Sequence, residues 1–581
     1  MGIAEEVARV LRKYERLKQE KEPWLSHYQL IGQYIRHRKQ NFTTEHGQGA
    51  FLTAEIFDTT ASEANERFAS ALIGNIWPSG AKTIKINPAD SVPNSKAVKE
   101  YFEKVTKKLT GFMDEPRAGL SISLQEYAED LGAFGTCGQA VFENKDIRHP
   151  LSYKTWDVKR MVIDEDKDGF VNTIGAEYEV DVETAVDEYG RDKLPKKYRD
   201  AYDNGQYNEK VRFLIFVEPR RNYDNTKQGN KNMAFATYHI ELTTKTVLKE
   251  SGFTELPVFV SRMSKATGEK YGRSPGIDGL PDILTVNAMA ESILRATEKN
   301  LDPPLAVADD SVLGNEVIDT SAGGLNVFSM SGRTPTDKPI FPLFTVGEMK
   351  SSMEFRTSLQ EAIWKRYKLD MLLDLNNQTR MTLGEAQIRN RIRSEGISSM
   401  FVRQEVELLE PMIIRSFNIC FKLGLLGIVA GDPREKELRA AGVDVFTIPQ
   451  EVIQAGQSGQ DIYEIQYISP AKRIMQAEEL QGIMTTMDFV TTHAQVVPDL
   501  VLSLKDDEIV KRVSELTGAP MEIINDLETI KALRQARQQA VAAQAKQEAA
   551  SKMAASSQNM AQAMATMQGS QSNAMGGATG G

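Results

Sequence analysis

The sequence predicts an α+β protein, mainly helical, and three observations carry that prediction. Apolar residues recur at helical spacing through most of the first 133 residues and again beyond residue 277. Between residues 140 and 265 the period changes to two, in short β-rich segments divided by turn clusters. The 581 residues are 41% apolar and 26% charged, which is ordinary for a chain that buries a substantial core. At roughly 150 residues per domain the length corresponds to about four domain-sized units, or fewer large ones.

Residues 1–40 read as helical, with Leu11, Tyr14, Leu17, Trp24, Tyr28 and Ile31 near helical spacing. Pro23 is expected to start a second helix there, because proline is favoured in a first turn. A third helix spans 60–76 on the face Ala64, Phe68, Ala71 and Leu72, and stops at Trp77-Pro78-Ser79-Gly80. Helices follow at about 96–113 and 121–133. The run Gly132–Gly138 then breaks the helix, and Gln139–Glu143 reads as a strand. Further strands are expected at 160–163, 171–178, 211–217, 234–242 and 258–262.

Residues 278–300 return to helix, with Asp278 as cap and Pro281 in the first turn. The segment 301–344 holds Pro303, Pro304, Pro335, Pro339 and Pro342, which forbids long helices and predicts a small insert of strands and turns. The capping boxes Thr345–Glu348 and Thr382–Glu385 each open a long helix, because hydroxyl and carboxylate satisfy free amides of a first turn. Between these helices lies the loop Asp370–Arg380, apolar in one half and amide-rich in the other. The second of them runs toward Gly424, with bends expected at Gly396 and Pro411. Helix is expected again from about 505, and 527–552 is rich in Ala and Gln. From Met553 to Gly581 there is no charge and little to bury, so an unstructured tail is expected.

The chemistry is mostly one of exclusion. A net charge of −10 argues against a general nucleic-acid coat. Two cysteines, Cys137 and Cys420, exclude a disulfide framework and a Cys-rich metal site. The six histidines are scattered, with no pair at the spacing of a helical zinc site. No apolar run reaches the roughly 18 residues of a membrane span. The N-terminus is too charged for a secretory leader, and Glu6 stands where myristoylation needs Ser or Thr. No Walker loop and no G-x-S-x-G occur, the spacing of Gly132, Gly135 and Gly138 makes no phosphate cradle, and no cofactor is implied. Asp164-Glu-Asp166-Lys-Asp168-Gly169 copies the first half of a calcium loop, but Gly175 holds the place of the bidentate Glu. It reads as an acidic turn between strands. Asp506-Asp507 reads as a solvated helix start. One charge feature stands out. Lys365, Arg366, Lys368, Arg380, Arg389, Arg391 and Arg393 face only Asp370, Asp374 and Glu385 within 364–393, a local excess of four positive charges.

The order of these elements, with Tyr271–Asp282, Leu294–Lys299 followed by Asp302-Pro-Pro-Leu305, Gly324–Val327 and Met381–Ala386, resembles the portal (head-to-tail connector) proteins of short-tailed, podovirus-type bacteriophages. Asp130–Thr136 and Tyr14–Leu17 with Trp24 resemble the family's N-terminal half, and the likeness covers roughly residues 10–540. The resemblance implies the portal fold of wing, stem, clip and crown, and a homo-oligomeric ring of about twelve subunits at one capsid vertex. On this mapping 1–276 is the α+β wing body, 277–300 and 345–369 are the stem helices, and 301–344 is the clip. The segment 370–382 is the channel loop, 383–470 the long kinked wing helix with the segment after it, 471–552 the crown or barrel helices, and 553–581 the tail.

The same resemblance implies no enzyme. It implies a virion protein, assembled in the host cytoplasm, that passes double-stranded DNA and meets the terminase large subunit, a tail adaptor or head-completion protein, and major capsid and scaffolding proteins, with no membrane partner. Asn376, Asn377, Gln378 and Arg380 are expected in the DNA-channel loop, Lys365, Arg366 and Lys368 as a cationic cluster beside it, and Pro303, Pro304, Leu325 and Pro339 in the clip. A mildly acidic conduit with a few cationic rings guides a duplex without gripping it. The alternatives are another structural virion protein, of the tail or of the internal ejection apparatus, and a metal-dependent nuclease. The first lacks a clear amphipathic membrane-active helix, and the second lacks a convergent acidic cluster.

Overall fold

The computed structural model describes residues 3–47, 49–78, 83–93, 95–223, 229–308, 318–328, 340–343, 349–372, 400–458, 461–468, 470–493, 504–517 and 527–574. It divides into two units, Met1–Pro93 with Tyr101–Ile474, and Asn94–Glu100 with Met475–Gly581.

In the first unit, helix α1 (Ile3–Tyr34) is a single helix with Pro23 inside it, where the sequence predicts two. A proline removes one helical donor, but packing on both sides of it offsets that loss. Val10, Tyr14 and Leu17 pack on the sheet behind them, and Tyr28 and Ile31 are also fully buried. Helix α2 (Thr60–Ile76) comes next, then strand β1 (Ile84–Pro88) and helix α3 (Lys96–Met113), whose residues from Tyr101 onward belong to this unit. Helix α4 (Leu120–Phe134) ends at Gly135, whose left-handed φ of 76° closes it.

Strands β2 (Thr136–Glu143) and β3 (Leu151–Trp156) form a hairpin. Strands β4 (Met161–Glu165) and β5 (Val171–Asp181) flank the acidic turn read from the sequence. Asp166 Oδ1 accepts from the amides of Asp168 and Phe170, each at 2.9 Å, and Gly169 takes a φ of 85°. Asp164 is held by Lys270 at 2.6 Å and Arg16 at 3.1 Å, so these carboxylates are committed to the turn and to ion pairs.

Two short helices that the sequence reading does not foresee, α5 (Val182–Tyr189) and α6 (Lys196–Asp203), bury Val182, Ala185, Tyr189 and Tyr198 over the strands. Strands β6 (Lys210–Pro219), β7 (Phe235–Glu241) and β8 (Thr246–Phe253) complete an antiparallel meander in the order β4-β5-β6-β7-β8. Strand β9 (Val258–Arg262) joins the other side of β2, giving the sheet β3-β2-β9.

A short helix α7 (Pro275–Asp278) leads into α8 (Leu280–Leu301). Ser274 caps α7, its Oγ accepting from the amide of Ile277 at 3.0 Å, and α8 follows Gly279 with no side-chain cap, so Asp278 is not the cap that the sequence predicts. Asp278 lies inside the turn that Ser274 starts. Strands β10 (Leu305–Ala308), β11 (Leu325–Phe328) and β12 (Ile340–Pro342) form a small sheet in the order β11-β10-β12, with β10 and β11 parallel. This is the insert of strands and turns that the prolines predict.

Helix α9 (Lys350–Arg366) and the turn α10 (Leu369–Leu372) come after the insert. The capping boxes Thr345–Glu348 and Thr382–Glu385, and Gly396, lie outside the described residues. From Met400 the chain is helical, widening to a π turn at Glu405–Leu409 before α11 (Glu410–Lys422). Pro411 cannot donate into the preceding turn, and the helix accommodates this by widening just ahead of it. Helices α12 (Arg434–Ala440) and α13 (Gln450–Gln457) and strand β13 (Tyr463–Tyr467) close the unit, β13 pairing antiparallel with β1.

Helix α14 (Pro470–His493) passes into the second unit, which also holds α15 (Asp506–Thr517) and α16 (Leu527–Ala574). Arg512 binds Glu479 there at 2.6 and 2.8 Å. Helix α16 carries on through residues 553–574, where the sequence reading expects an unstructured tail. Ala, Met and Gln keep their helix propensity although residues 553–565 are exposed.

Candidate nucleic-acid interface

The two helices on either side of the proline-rich insert run antiparallel. Arg366 at the end of α9 donates from Nε to Asp282 Oδ2 in the first turn of α8 at 2.9 Å, which sets the end of one beside the start of the other. The small sheet of β10, β11 and β12 therefore stands at their far end.

There Pro304 is buried and Pro303 half-buried. The carbonyl of Pro304 accepts from Leu343 N at 2.7 Å, and Leu305 N donates to Gly324 O at 2.8 Å. Both prolines precede β10, where their missing donors leave its ladder intact. The buried Asn326 closes the turn before β11, accepting from Asp319 N at 2.7 Å and donating to Asp319 O at 2.8 Å. Leu325 opens β11 and is 57% exposed. Pro339 lies outside the described residues.

At the near end, the segment before α2 ties both helices to the body. Asn287 of α8 accepts from the amides of Phe57 and Asp58 at 2.7 and 3.2 Å and donates to Glu55 O at 3.1 Å. Asp58 in turn accepts from Arg356 and Gln360 of α9 at 3.0 and 2.7 Å. Burial works to raise the Asp58 carboxyl, but Thr60, Arg356 and Gln360 outweigh it, and the group lies below the usual carboxylate range.

The end of α9 is anchored by the buried Tyr367, whose ring centroid lies 5.8 Å from that of Phe68. The Arg67 guanidinium sits 4.8 Å from the Trp364 ring centroid. Lys368 reverses the chain with a left-handed φ of 51°. The three predicted cations thus occupy one turn, Lys365 and Arg366 exposed and Lys368 half-buried. Asn376, Asn377, Gln378 and Arg380 lie outside the described residues.

Linear reading missed what surrounds this turn. Arg366 and Lys368 line a cavity of about 440 Å³ together with Lys265, Arg273 and Arg403. Beside it the fully buried Arg262 binds Glu165, Gly169 O at 2.9 Å and Glu407 at 2.5 Å. Gln404, also buried, donates to Arg262 O at 3.2 Å and accepts from Ser261 Oγ at 2.6 Å. These residues come from four distant stretches, and nothing in their local sequence announces the meeting.

A family model, that of the bacteriophage head to tail connecting protein, matches residues 7–524. The chain belongs to that family. Among its relatives is the "Probable portal protein" of Bordetella phage BPP-1, 24% identical over 455 residues that cover 76% of this chain and 79% of the relative. Another is the "Portal protein" of Salmonella phage epsilon15, 24% identical over 553 residues that cover 93% of each. This connecting protein is a structural phage component and not an enzyme. Among its described residues no group of three or more His, Cys, Asp or Glu is arranged to hold a metal ion. None of its described helices is long and apolar enough to cross a membrane.

Proposed function

We propose that this connecting protein forms a ring at one capsid vertex and serves as the conduit for double-stranded DNA during packaging and ejection. The observation that carries the reading is the antiparallel pair α8 and α9. It is strapped to the body by Asp58 and Asn287 and carries a small sheet at its free end. Such an arm projects a compact docking tip from a rigid support. The tip, within 301–344, is the docking platform for the terminase large subunit and later for the tail adaptor. The body, 1–276 with 383–470, forms the wing, and the helices of 471–552 form the crown. Major capsid and scaffolding proteins meet the outside of the ring. The segment 370–382, with Asn376, Asn377, Gln378 and Arg380, touches the duplex as it passes, and Lys365, Arg366 and Lys368 supply a cationic collar.

Negative-stain imaging of the purified full chain tests the assembly: rings with an axial hole are expected, and monomers or fibres refute it. Deleting 301–344 is expected to leave rings that no longer support packaging. Normal packaging by such rings with the same motor refutes the docking role.

A further inference from the structure

The cavity beside the end of α9 has a wall of unusual charge. Five cationic side chains line it, Lys265, Arg273, Arg366, Lys368 and Arg403, against a single acid, Asp278. Lys265, Arg273, Arg366 and Arg403 pair with carboxylates that do not line the cavity. Lys265 binds Glu165 at 2.6 and 2.7 Å, and Arg273 binds Glu269 at 3.0 and 2.5 Å. Arg366 binds Asp282 at 2.9 Å, and Arg403 binds Glu407 at 3.0 Å. Each pair therefore turns its positive end inward and keeps its negative end behind the wall.

The arginines are also incompletely used. Arg366 commits only Nε and Arg403 only Nη1, so the remaining guanidinium N–H groups have no protein partner among the described residues. A guanidinium with donors to spare is the side chain best matched to the paired oxygens of a phosphate. The rest of the wall includes the apolar groups Phe68, Met263 and Met400, which lower the local dielectric and strengthen charge–charge attraction. At about 440 Å³ the cavity is of a size that takes a small molecule, larger than one phosphate and far too narrow for a duplex.

We propose that this cavity is a phosphate-binding site, held chiefly by Arg366 and Arg403, which takes an anionic phosphate group from a free polyphosphate or from the backbone of a single strand. The site goes beyond the conduit reading and stands without it, because the anion alone tests it.

The test uses the full-length protein in its native assembly and pyrophosphate as probe, followed by calorimetry and by thermal melting. Wild type is expected to bind pyrophosphate and to melt at higher temperature in its presence. The double variant Arg366→Gln/Arg403→Gln is expected to lose about tenfold or more in affinity. Its melting without pyrophosphate should stay near wild type, since Glu407 keeps Arg262 and Asp282 is partly exposed. Lys350→Gln, which removes an exposed cation at the start of α9 and outside the cavity wall, is expected to bind as wild type does. Equal affinity in the double variant, or no wild-type binding at millimolar pyrophosphate, overturns the proposal. Should the double variant fail to fold, Arg403→Lys replaces it, and unchanged affinity there counts against the site, because lysine loses the planar fork. A competing oligonucleotide separates the sources. Displacement of pyrophosphate by a short single strand assigns the site to strand phosphates, and retention assigns it to free anions. Failure of the conduit reading shows separately, as absence of rings by imaging.

Discussion

Arg366 reaches from the last residue of α9 to Asp282 in the first turn of α8, Nε to Oδ2 at 2.9 Å, with the two side chains 45% and 24% exposed. A pair this open to water contributes about 0–1 kcal/mol. Changing Lys365, Arg366 and Lys368 together to Gln should therefore leave the melting temperature nearly unchanged and ring formation intact. The amount of DNA retained in the head after packaging should change. Loss of assembly in this triple variant, by sedimentation or imaging, would assign the cluster to contacts between subunits instead.

Gly135 offers a sharper stability test. Its φ is 76°, and a Cβ there would lie 2.6 Å from the carbonyl carbon of Arg273 and the oxygen of Gly272. Neither backbone atom can move without displacing the entry to α7. Gly135→Ala should cost more than about 3 kcal/mol in urea unfolding, with strain and clash adding. Gly205, also left-handed at 76° but with open space around it, should lose only about 1 kcal/mol as Ala. Similar losses at the two sites would refute the close approach.

Arg262 is 1% exposed and neutralises two carboxylates that are themselves mostly buried, Glu165 and Glu407. Arg262→Met should cost about 3 kcal/mol, because it removes the buried cation that both carboxylates share, leaving Glu165 to Lys265 alone, Glu407 to Arg403 alone and the Gly169 carbonyl without its donor. Lys should not rescue it, since one ammonium cannot span both carboxylates and the carbonyl of Gly169. A loss under 1 kcal/mol by equilibrium denaturation would show that water reaches the site.

His239 sets a pH dependence. Burial, and to a lesser degree Lys249 opposite it on the neighbouring strand, push its imidazole down to about 4. The unfolded chain then holds the extra proton between about 6.5 and 4, so this group's contribution is intact above about 6.5 and is lost as pH falls toward 4. The loss should reach about 3 kcal/mol at the acid end. His239→Gln should show a shallower fall between pH 7 and 4.5 in denaturant titrations. Parallel profiles for the two proteins would sink the assignment.

Periodicity read the long elements well because their burial is local. Thr60–Ile76, Lys96–Met113 and most of Val171–Asp181 were visible from the spacing of their own apolar residues. Strands β1 and β13 were not, because each is five residues long and acquires its meaning only from the other. Helices α5 and α6 have eight residues each, too few for a period to declare itself. Pro23 misled because tertiary packing overrode a local rule. Of the candidate interface, the sequence showed the cations of the α9 turn but not Lys265, Arg273 and Arg403. Those converge only when β9, the entry to α7 and the helix before the π turn come together.

The pairing of Ile84 with Tyr467 also sets a schedule for the growing chain. At about 5–20 residues per second, a ribosome that has made the first strand needs roughly 20–80 seconds more to make its partner. During that interval Ile84 and Ile86, both buried in the finished protein, lack the strand that covers them. An uncovered strand edge invites pairing with another chain. Polypeptides interrupted before Tyr463 keep that adhesive edge for good, whereas complete ones shed it, and the two populations become separable by solubility alone.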